Sequence, residues 1–591
     1  MLKLLKYLKK YWYFALLAPI FMFFEVAMDM LVTNKMGEMI DIVNSFTSEM
    51  NQDSFLNMIL KTGAVMLAFV LLGVICGILS GVFANLASQK FANDLRKDLF
   101  AKIMKLSFQQ TDDFSTGSLV TRVTNDITAV QTMIAMAIRM FIRAMSMFVL
   151  GIVFTIGISE KFVIVLAIAL PLELIIMIFF MAKAFPMFSI VQTKLDKVNS
   201  VLHENLSGAR VVKAFSKEDY EYNRFEKANN HLTDITLKVN KLMAIIMPLF
   251  MIIVYFGTIA IYYIGATNQF VAFNEKIAPG ISVGDTQKGV TYITMIMNSM
   301  LMIGMTFANM ARAVASGKRI NEVLETPDII VDGSLEVSTL QEEGTIEFQD
   351  VDFTYPGGKS PVLEHINLKI EKGETIAIVG ATGSGKTSLV NLITRFYDVT
   401  SGSILVDGED VRNYKVKDLR EKIAIVLQKA ELFAGSIKEN IKWGNPNATD
   451  EEVEKAAQIA QAEEFILSKE VGYDEYVEEK GTSLSGGQKQ RLSIARAIVK
   501  HPEILIFDDS TSALDLVTEA KLYQAMRENI SSTTKIVVAQ RIATAKNADK
   551  IVVLDSGTIV DFDTHENLMK HCDVYQDIYN SQLKREGEIN G

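Results

Sequence analysis

The stretch TIAIVGATGSGKTSLVNLI, residues 375–393, decides the fold of half of this chain. A short apolar strand, Thr375 to Val379, runs into Gly380-x-x-x-x-Gly385-Lys386-Thr387 and then into a helical pattern. This is a phosphate-cradling P-loop. Gly380, Gly383 and Gly385, with Ala381, Thr382 and Ser384 between them, let backbone N–H groups close around phosphate oxygens. The helix start adds its partial positive charge. In such a loop Lys386 reaches the β- and γ-phosphates, and the Thr387 hydroxyl ligates Mg²⁺. The complete pattern between a strand and a helix is a specific signal, and a chance glycine loop is a negligible alternative.

Two further stretches build outward from it. In ILIFDDSTSALD (504–515) an apolar run ends in two consecutive acids, Asp508 and Asp509. Such a run reads as a buried parallel strand that delivers carboxylates at its C-terminal end. In LSGGQKQRLSIARAI (484–498), Ser485, Gly486 and Gly487 precede an amphipathic helix. A serine cap beside two glycines is a second anion site. One domain does not need two phosphate-binding helix starts for one nucleotide, so this one serves the nucleotide of another domain. From Gly344 onward short strands alternate with helical patterns, which predicts an α/β domain.

The chain has 591 residues, too many for one ordinary domain. Mean hydropathy is +0.23 although 22% of residues are charged, a combination that fits a membrane half joined to a soluble half. The net charge of −10 argues against a nucleic-acid partner. Cys76 and Cys572 lie in different halves, which excludes a disulfide framework, and the six histidines show no metal-ligand spacing. The basic N-terminus, MLKLLKYLKKYWYF, has no small-residue cleavage site after it and reads as an interfacial helix leading into a membrane span. Apolar stretches long enough for a bilayer start near Trp12, Leu60, Met140, Phe162, Leu242 and Thr291, which predicts six spans ending near Ala311. The first connection holds Glu38, Asp41, Glu49 and Asp53 against Lys35. The second holds Lys90, Arg96, Lys97, Lys102 and Lys105; the fourth holds Lys194, Lys197, Arg210, Lys213, Lys217, Arg224 and Lys227. Basic connections favour the cytoplasm, so both termini are expected inside, in a plasma (inner) membrane protein crossing the lipid bilayer several times.

Ionisable residues also fall within the spans. Glu25 and Asp29 share a face of the first, Arg139 and Arg143 share one at the start of the third, and Glu173 lies in the fourth. They act either as ion pairs between helices or as a polar, cation-attracting pathway for the Glu25/Asp29 face. The sixth span carries Met295, Met297, Met300, Met302, Met305 and Met310. Flexible thioethers suit a promiscuous pathway at Met295 and Met302, and equally they fill a core.

Gly380–Thr387, Gln428 in IVLQ, LSGGQ at 484–488, ILIFDD at 504–509 and SALD at 512–515 together resemble the nucleotide-binding domain of ABC transporters. With six spans before that domain, the chain resembles an ABC exporter half-transporter over nearly its full length. FSTGSLVTRVTND (114–126) and GARVVKAFSKEDYEYNRF (208–225) resemble the loops that carry the family's coupling helices. The resemblance implies an N-terminal all-α six-helix transmembrane domain of ABC exporter type with long cytoplasmic helical extensions (1–325), a linker (326–343) and a C-terminal α/β P-loop ATPase domain (344–591). It implies a dimer with ATP and Mg²⁺ sandwiched between domains. Each ATP is held by the P-loop of one domain and by the signature loop of the other, here Ser485, Gly486, Gly487 and Gln488, with Asp515 beside it. It places Tyr355 on adenine and assigns Thr387, Gln428 and Asp508 to Mg²⁺.

The sequence departs from the family at two places. The family's catalytic glutamate is Asp509 here, and its switch histidine is Gln540, in VVAQRIATAKNAD. Asp509 falls short of the attacking water by about one carbon–carbon bond, and an error of ~1 Å can cost ~10²-fold. Gln540 donates a hydrogen bond but cannot carry the charge of a protonated imidazole. Glu478 stands where the family often has glycine. The pattern resembles the degenerate-site subunit of heterodimeric multidrug-type exporters. In that reading Asp509, Gln540 and Gln428 form a slow site, and the signature loop completes a competent one on a partner half-transporter that keeps the glutamate and histidine. Amphipathic small molecules, drug- or lipid-like, hydrophobic or cationic, are the expected cargo. A homodimeric pump, an ATP-gated regulatory or channel-like protein and a nutrient importer on the same fold are the alternatives.

Overall fold

The computed structural model describes residues 2–45, 52–275, 280–335 and 343–589, in two compact units. Glu49, named above, and residues 336–342 of the expected linker lie outside the described residues.

The first unit comprises residues 1–104 and 117–326. It is built from six long helices: α1 (Trp12–Asn44), α2 (Gln52–Ile103), α3 (Thr116–Ile158), α4 (Glu160–Ser207), α5 (Glu218–Glu275) and α6 (Val283–Glu325). Five of them, α1 to α5, are long and apolar enough to cross a membrane. The expected sixth span corresponds to α6, which is not among those five. The connections rich in lysine and arginine are helical continuations of the spans, so α2, α4 and α5 run to 52, 48 and 58 residues.

Caps fix where two of these helices begin. Ser159 precedes α4 and its hydroxyl accepts from the Lys161 N–H. Ser282 and Asp285 form a reciprocal capping box at the start of α6. Asp41 of α1 accepts from the Ser282 hydroxyl and the Gly284 N–H, each at 2.7 Å, so a carboxylate sits at the positive end of α6. This approach needs glycine: a Cβ on Gly284 would lie 2.1 Å from the Gly37 carbonyl oxygen.

The second unit comprises residues 105–116 and 327–591. Its centre is a six-stranded sheet in the order β12-β11-β3-β10-β9-β6. The strands are β3 (Thr375–Val379), β6 (Ile423–Val426), β9 (Ile504–Asp508), β10 (Thr534–Val538), β11 (Lys550–Asp555) and β12 (Thr558–Asp563), and only β12 runs antiparallel. A smaller antiparallel sheet, β2-β1-β4-β5, comprises β1 (Ile346–Phe353), β2 (Leu363–Ile370), β4 (Ser401–Val406) and β5 (Glu409–Asp410).

Strands β9 and β10 are buried along their whole length. Alternate side chains enter opposite cores: Ile504 and Ile506 join Leu389 and Ile376, whereas Leu505 and Phe507 join Leu492 and Leu522. Each such side chain contributes about 1.5–3 kcal/mol of burial, which explains why the run is apolar on both faces.

The segment 105–116 carries a short helix, Phe108–Phe114, capped by Ser107. The Phe108 ring lies 4.3 Å from that of Phe396, and the Gln110 amide donates to the Pro327 carbonyl at 2.7 Å.

Replacing Gly284 by alanine is expected to force α1 and α6 apart and to cost about 1–3 kcal/mol. A lowered Tm of the purified protein in detergent checks this; an unchanged Tm would refute the close crossing.

Candidate nucleotide site and transmembrane cavity

Strand register sets the site. Asp508 pairs with Val538, Val538 with Ile378, and Phe507 with Val426. The parallel strands β3, β10, β9 and β6 therefore end at one level, and the residues just beyond them are Gly380, Gln540, Asp509 and Gln428. Open α/β sheets bind ligands at this carboxyl edge.

The P-loop backbone requires its glycines. Gly383 and Gly385 have φ of +87° and +102°. A Cβ on Gly385 would lie 2.7 Å from Leu363 Cδ2, whereas one on Gly383 would meet nothing within 4 Å, so the loop is open at that point. The Ser384 hydroxyl is buried with no hydrogen-bond partner among the described residues. Lys386 Nζ crosses the loop and donates to the Gly380 and Ala381 carbonyls at 2.9 and 2.8 Å. Burial holds this ammonium below the usual lysine range, against the opposing pull of Asp509 and Asp508. The Thr387 hydroxyl donates to Asp508 Oδ1 at 2.9 Å. Burial pushes the Asp508 carboxyl above the usual carboxylate range; the Thr387 bond opposes this and the neighbouring Asp509 charge adds to it. An ammonium, an orphaned hydroxyl, an open glycine loop and a Thr–Asp oxygen pair suit a phosphate chain with its divalent cation.

Asp509 is 8% exposed and takes a left-handed backbone, φ +50°. Two amides converge on its Oδ2: Gln428 Nε2 donates at 2.8 Å, and Gln540 Nε2 also donates. Gln428 thus contacts Asp509 rather than Asp508 or Thr387. The Tyr355 hydroxyl bonds Ser388 at 2.9 Å, and its ring stands edge-on to Phe353 and Tyr397.

The signature residues lie elsewhere. Ser485 caps the helix Gly486–Ile498, its hydroxyl accepting from the Gln488 N–H and its own N–H donating to the Gln488 side chain. Asp515 caps the next helix, Leu516–Asn529. Among the described residues no hydrogen bond joins Ser485–Gln488 to Gly380–Thr387. Sequence reasoning missed Glu519, which is 4% exposed and accepts from Thr511, Thr544 and Arg541. It ties the segment after Asp509 to the segment after Gln540. An acid four residues beyond Asp515, on the first turn of a helix, was its one signal. Gln490, which donates to the Leu427 carbonyl beside Gln428, had no such signal.

In the first unit, Glu25, Asp29, Arg139, Arg143 and Met295 line one cavity of about 1010 Å³, together with Gly73, Gly77 and Gly81 of α2. Met302 is not among its lining residues. Arg143 bridges both acids, at 2.5 Å to Glu25 and 3.4 Å to Asp29. Arg143 of α3 therefore offsets one of the two acidic charges on the expected cation-attracting face.

Family models match residues 15–300 as an ABC transporter transmembrane region and residues 363–512 as an ABC transporter. The chain is 38% identical to the uncharacterised ABC transporter ATP-binding protein YfiB of Bacillus subtilis, over 99% of each chain. This chain belongs to the ABC transporter family. The transporter is also 36% identical to an ATP-dependent lipid A-core flippase of Desulfotalea psychrophila, over 84% of this chain and 85% of that protein. It shares its fold with a solved bacterial Atm1-family ABC exporter with ATP bound: TM-score 0.77, 24% identity, 97% and 98% of the two chains covered. The transporter thus joins a helical, multi-pass membrane region to an ATP-binding domain in one chain.

Glu25→Gln is expected to destabilise the transporter more than Asp29→Asn, by about 1–3 kcal/mol against less than about 1. Glu25 is the more buried partner and makes the shorter bond. Thermal unfolding of both variants in nanodiscs checks this; the reverse order would refute it.

Proposed function

We propose that this transporter exports amphipathic small molecules, drug- or lipid-like, as one subunit of a heterodimer. Its own P-loop site holds ATP and hydrolyses it slowly. Its signature loop completes the competent site of a partner that carries a glutamate and a histidine at the corresponding places. Both termini face the cytoplasm, and residues 1–325, 326–343 and 344–591 act as membrane domain, linker and ATPase.

The observation that carries this reading is the clamp on Asp509. A general base must lie within hydrogen-bond reach of the attacking water. Gln428 and Gln540 both donate to Oδ2 and leave Oδ1 to meet a water, on a side chain one methylene shorter than glutamate. The P-loop around it keeps the features that bind: the Lys386 ammonium, the Thr387–Asp508 pair and the open turn at Gly383. ATP bound there would be held by Gly380–Thr387, with Tyr355 at the base and Thr387 and Asp508 toward Mg²⁺, which neutralises phosphate charge. Ser485 and the N–H groups around Gly487, at the start of a helix with no partner in their own P-loop, are free to address a second nucleotide.

Nucleotide trapping after limited turnover is expected to leave ATP on this chain; finding mostly ADP there would overturn the slow-site reading. A second experiment compares steady-state ATPase of purified complexes. Ser485→Arg or Gly487→Leu is expected to reduce turnover by about 10²–10³-fold, the scale of a lost transition-state donor. Asp509→Asn is expected to keep most of it. If Asp509→Asn is equally damaging, this chain's own site is the working one and a homodimeric exporter becomes the better account.

A further inference from the structure

Helix α4 carries one carboxyl in the middle of its apolar stretch, Glu173. It is 1% exposed, and neither oxygen accepts a hydrogen bond from a described group. Ala169 and Met177, one turn to either side, define its face. Ala169 lies in a cluster with Ile253 of α5 and Met297 of α6, and Met177 Sδ lies 2.7 Å from where a Gly304 Cβ would be. Glu173 therefore looks toward α6 between the levels of Met297 and Gly304.

Among the described side chains around it, none carries a charge to match it. Residues 242–274 of α5, 289–311 of α6 and 144–158 of α3 contain no Asp, Glu, Lys, Arg or His. The titratable groups there are tyrosines: Tyr255, Tyr262 and Tyr263 are exposed, and the Tyr292 hydroxyl donates to the Met30 carbonyl. On α4 itself the nearest charges are Glu160 and Lys161 at its start and Lys183 ten residues on. Arg143 of α3 is engaged by Glu25 and Asp29. A bare carboxylate here would be an uncompensated charge away from water, so the carboxylic acid is the form this packing accommodates. Pro171, two residues earlier, and Pro248 of α5 each remove a helix donor near this level, and the facing methionines repack easily.

We infer that Glu173 is the recognition site for a lipophilic cation, bound in exchange for a proton. This rests on the proposed export of amphipathic molecules and names the substrate class. When α4, α5 and α6 part, the O–H bond of the acid breaks, the proton leaves to water, and the carboxylate takes the cation. One positive charge enters for one that leaves, so the site is neutral before and after the exchange. The methionine face supplies the apolar contact.

The test uses the full-length protein, with whatever subunit accompanies it, in nanodiscs, and tetraphenylphosphonium as the probe. Equilibrium dialysis should show saturable binding that strengthens as the pH is raised from mildly acidic to mildly alkaline. A weakly buffered sample should release about one proton per cation bound, since one carboxyl exchanges one charge. Glu173→Gln should fold with unchanged Tm, lose about tenfold or more in affinity and lose the pH dependence; Glu173→Asp should keep the pH dependence. The inference falls if wild-type protein binds no cation saturably or releases no proton, and equally if Glu173→Gln binds within about twofold of wild type. Where Glu173→Gln does not fold, Glu173→Asp supplies the control: a changed pH midpoint of cation binding is expected, and an unchanged midpoint overturns the inference. Vanadate-sensitive transport of a neutral amphiphile without cation binding would leave the export reading standing and remove this site. Cation binding without ATP-driven transport would do the opposite.

Discussion

The ladder between β3, β10, β9 and β6 is the constraint on which the nucleotide site depends. Its register brings four chain segments, separated by up to 160 positions in sequence (Gly380 to Gln540), to one edge of one sheet. A slip of one residue in β9 would turn Asp508 from the Thr387 hydroxyl and exchange the two cores that Ile506 and Phe507 serve. The apolar density of these strands therefore does two things. It stabilises the domain, and it fixes polar groups where a flexible loop could not hold them.

Within that frame the polar groups divide into two sets. Lys386, Thr387, Asp508 and the glycines of the loop form a site suited to holding phosphate and a divalent cation. Asp509, Gln428 and Gln540 form a neighbouring set that binds itself. In the proposed reading, holding and cleaving a nucleotide fall to separable residues, so that a chain can lose the second capacity without losing the first. The membrane unit shows a similar division. Glu25 and Asp29 meet Arg143 across the cavity, while Glu173 meets no charged group of the described chain.

Much of this was legible in the sequence, because the P-loop, the apolar run before Asp508 and the signature serine each encode local backbone requirements that only a few residues satisfy. The long helices were legible through bilayer-length apolar runs. Side-chain partnerships were the least visible. Nothing in the spacing of Glu25, Asp29 and Arg143 says that one arginine bridges both acids, since the contact spans more than a hundred residues. The convergence of Gln428 and Gln540 on one oxygen of Asp509 is likewise a product of strand register. The grouping of residues 105–116 with the ATP-binding unit, through Phe108 on Phe396, was not visible either, because the two rings are far apart in sequence.

That last grouping bears on how the protein is made. Gln110 and Pro327, which share a hydrogen bond, are 217 residues apart in the chain. Residues 105–116 leave the ribosome long before the strands and the Phe396 ring they pack against exist. At ~5–20 residues per second the 288 residues from Phe108 to Phe396 take roughly 15–60 s. Through that time Phe108 has no partner ring, and the first segment of the ATP-binding unit waits for the rest of it. The unit cannot complete itself from its own continuous stretch of chain, and it closes only after nearly the whole membrane region has been synthesised. Assembly order is therefore written into the connectivity: the membrane helices come first, and the nucleotide unit is finished on a segment they have already delivered.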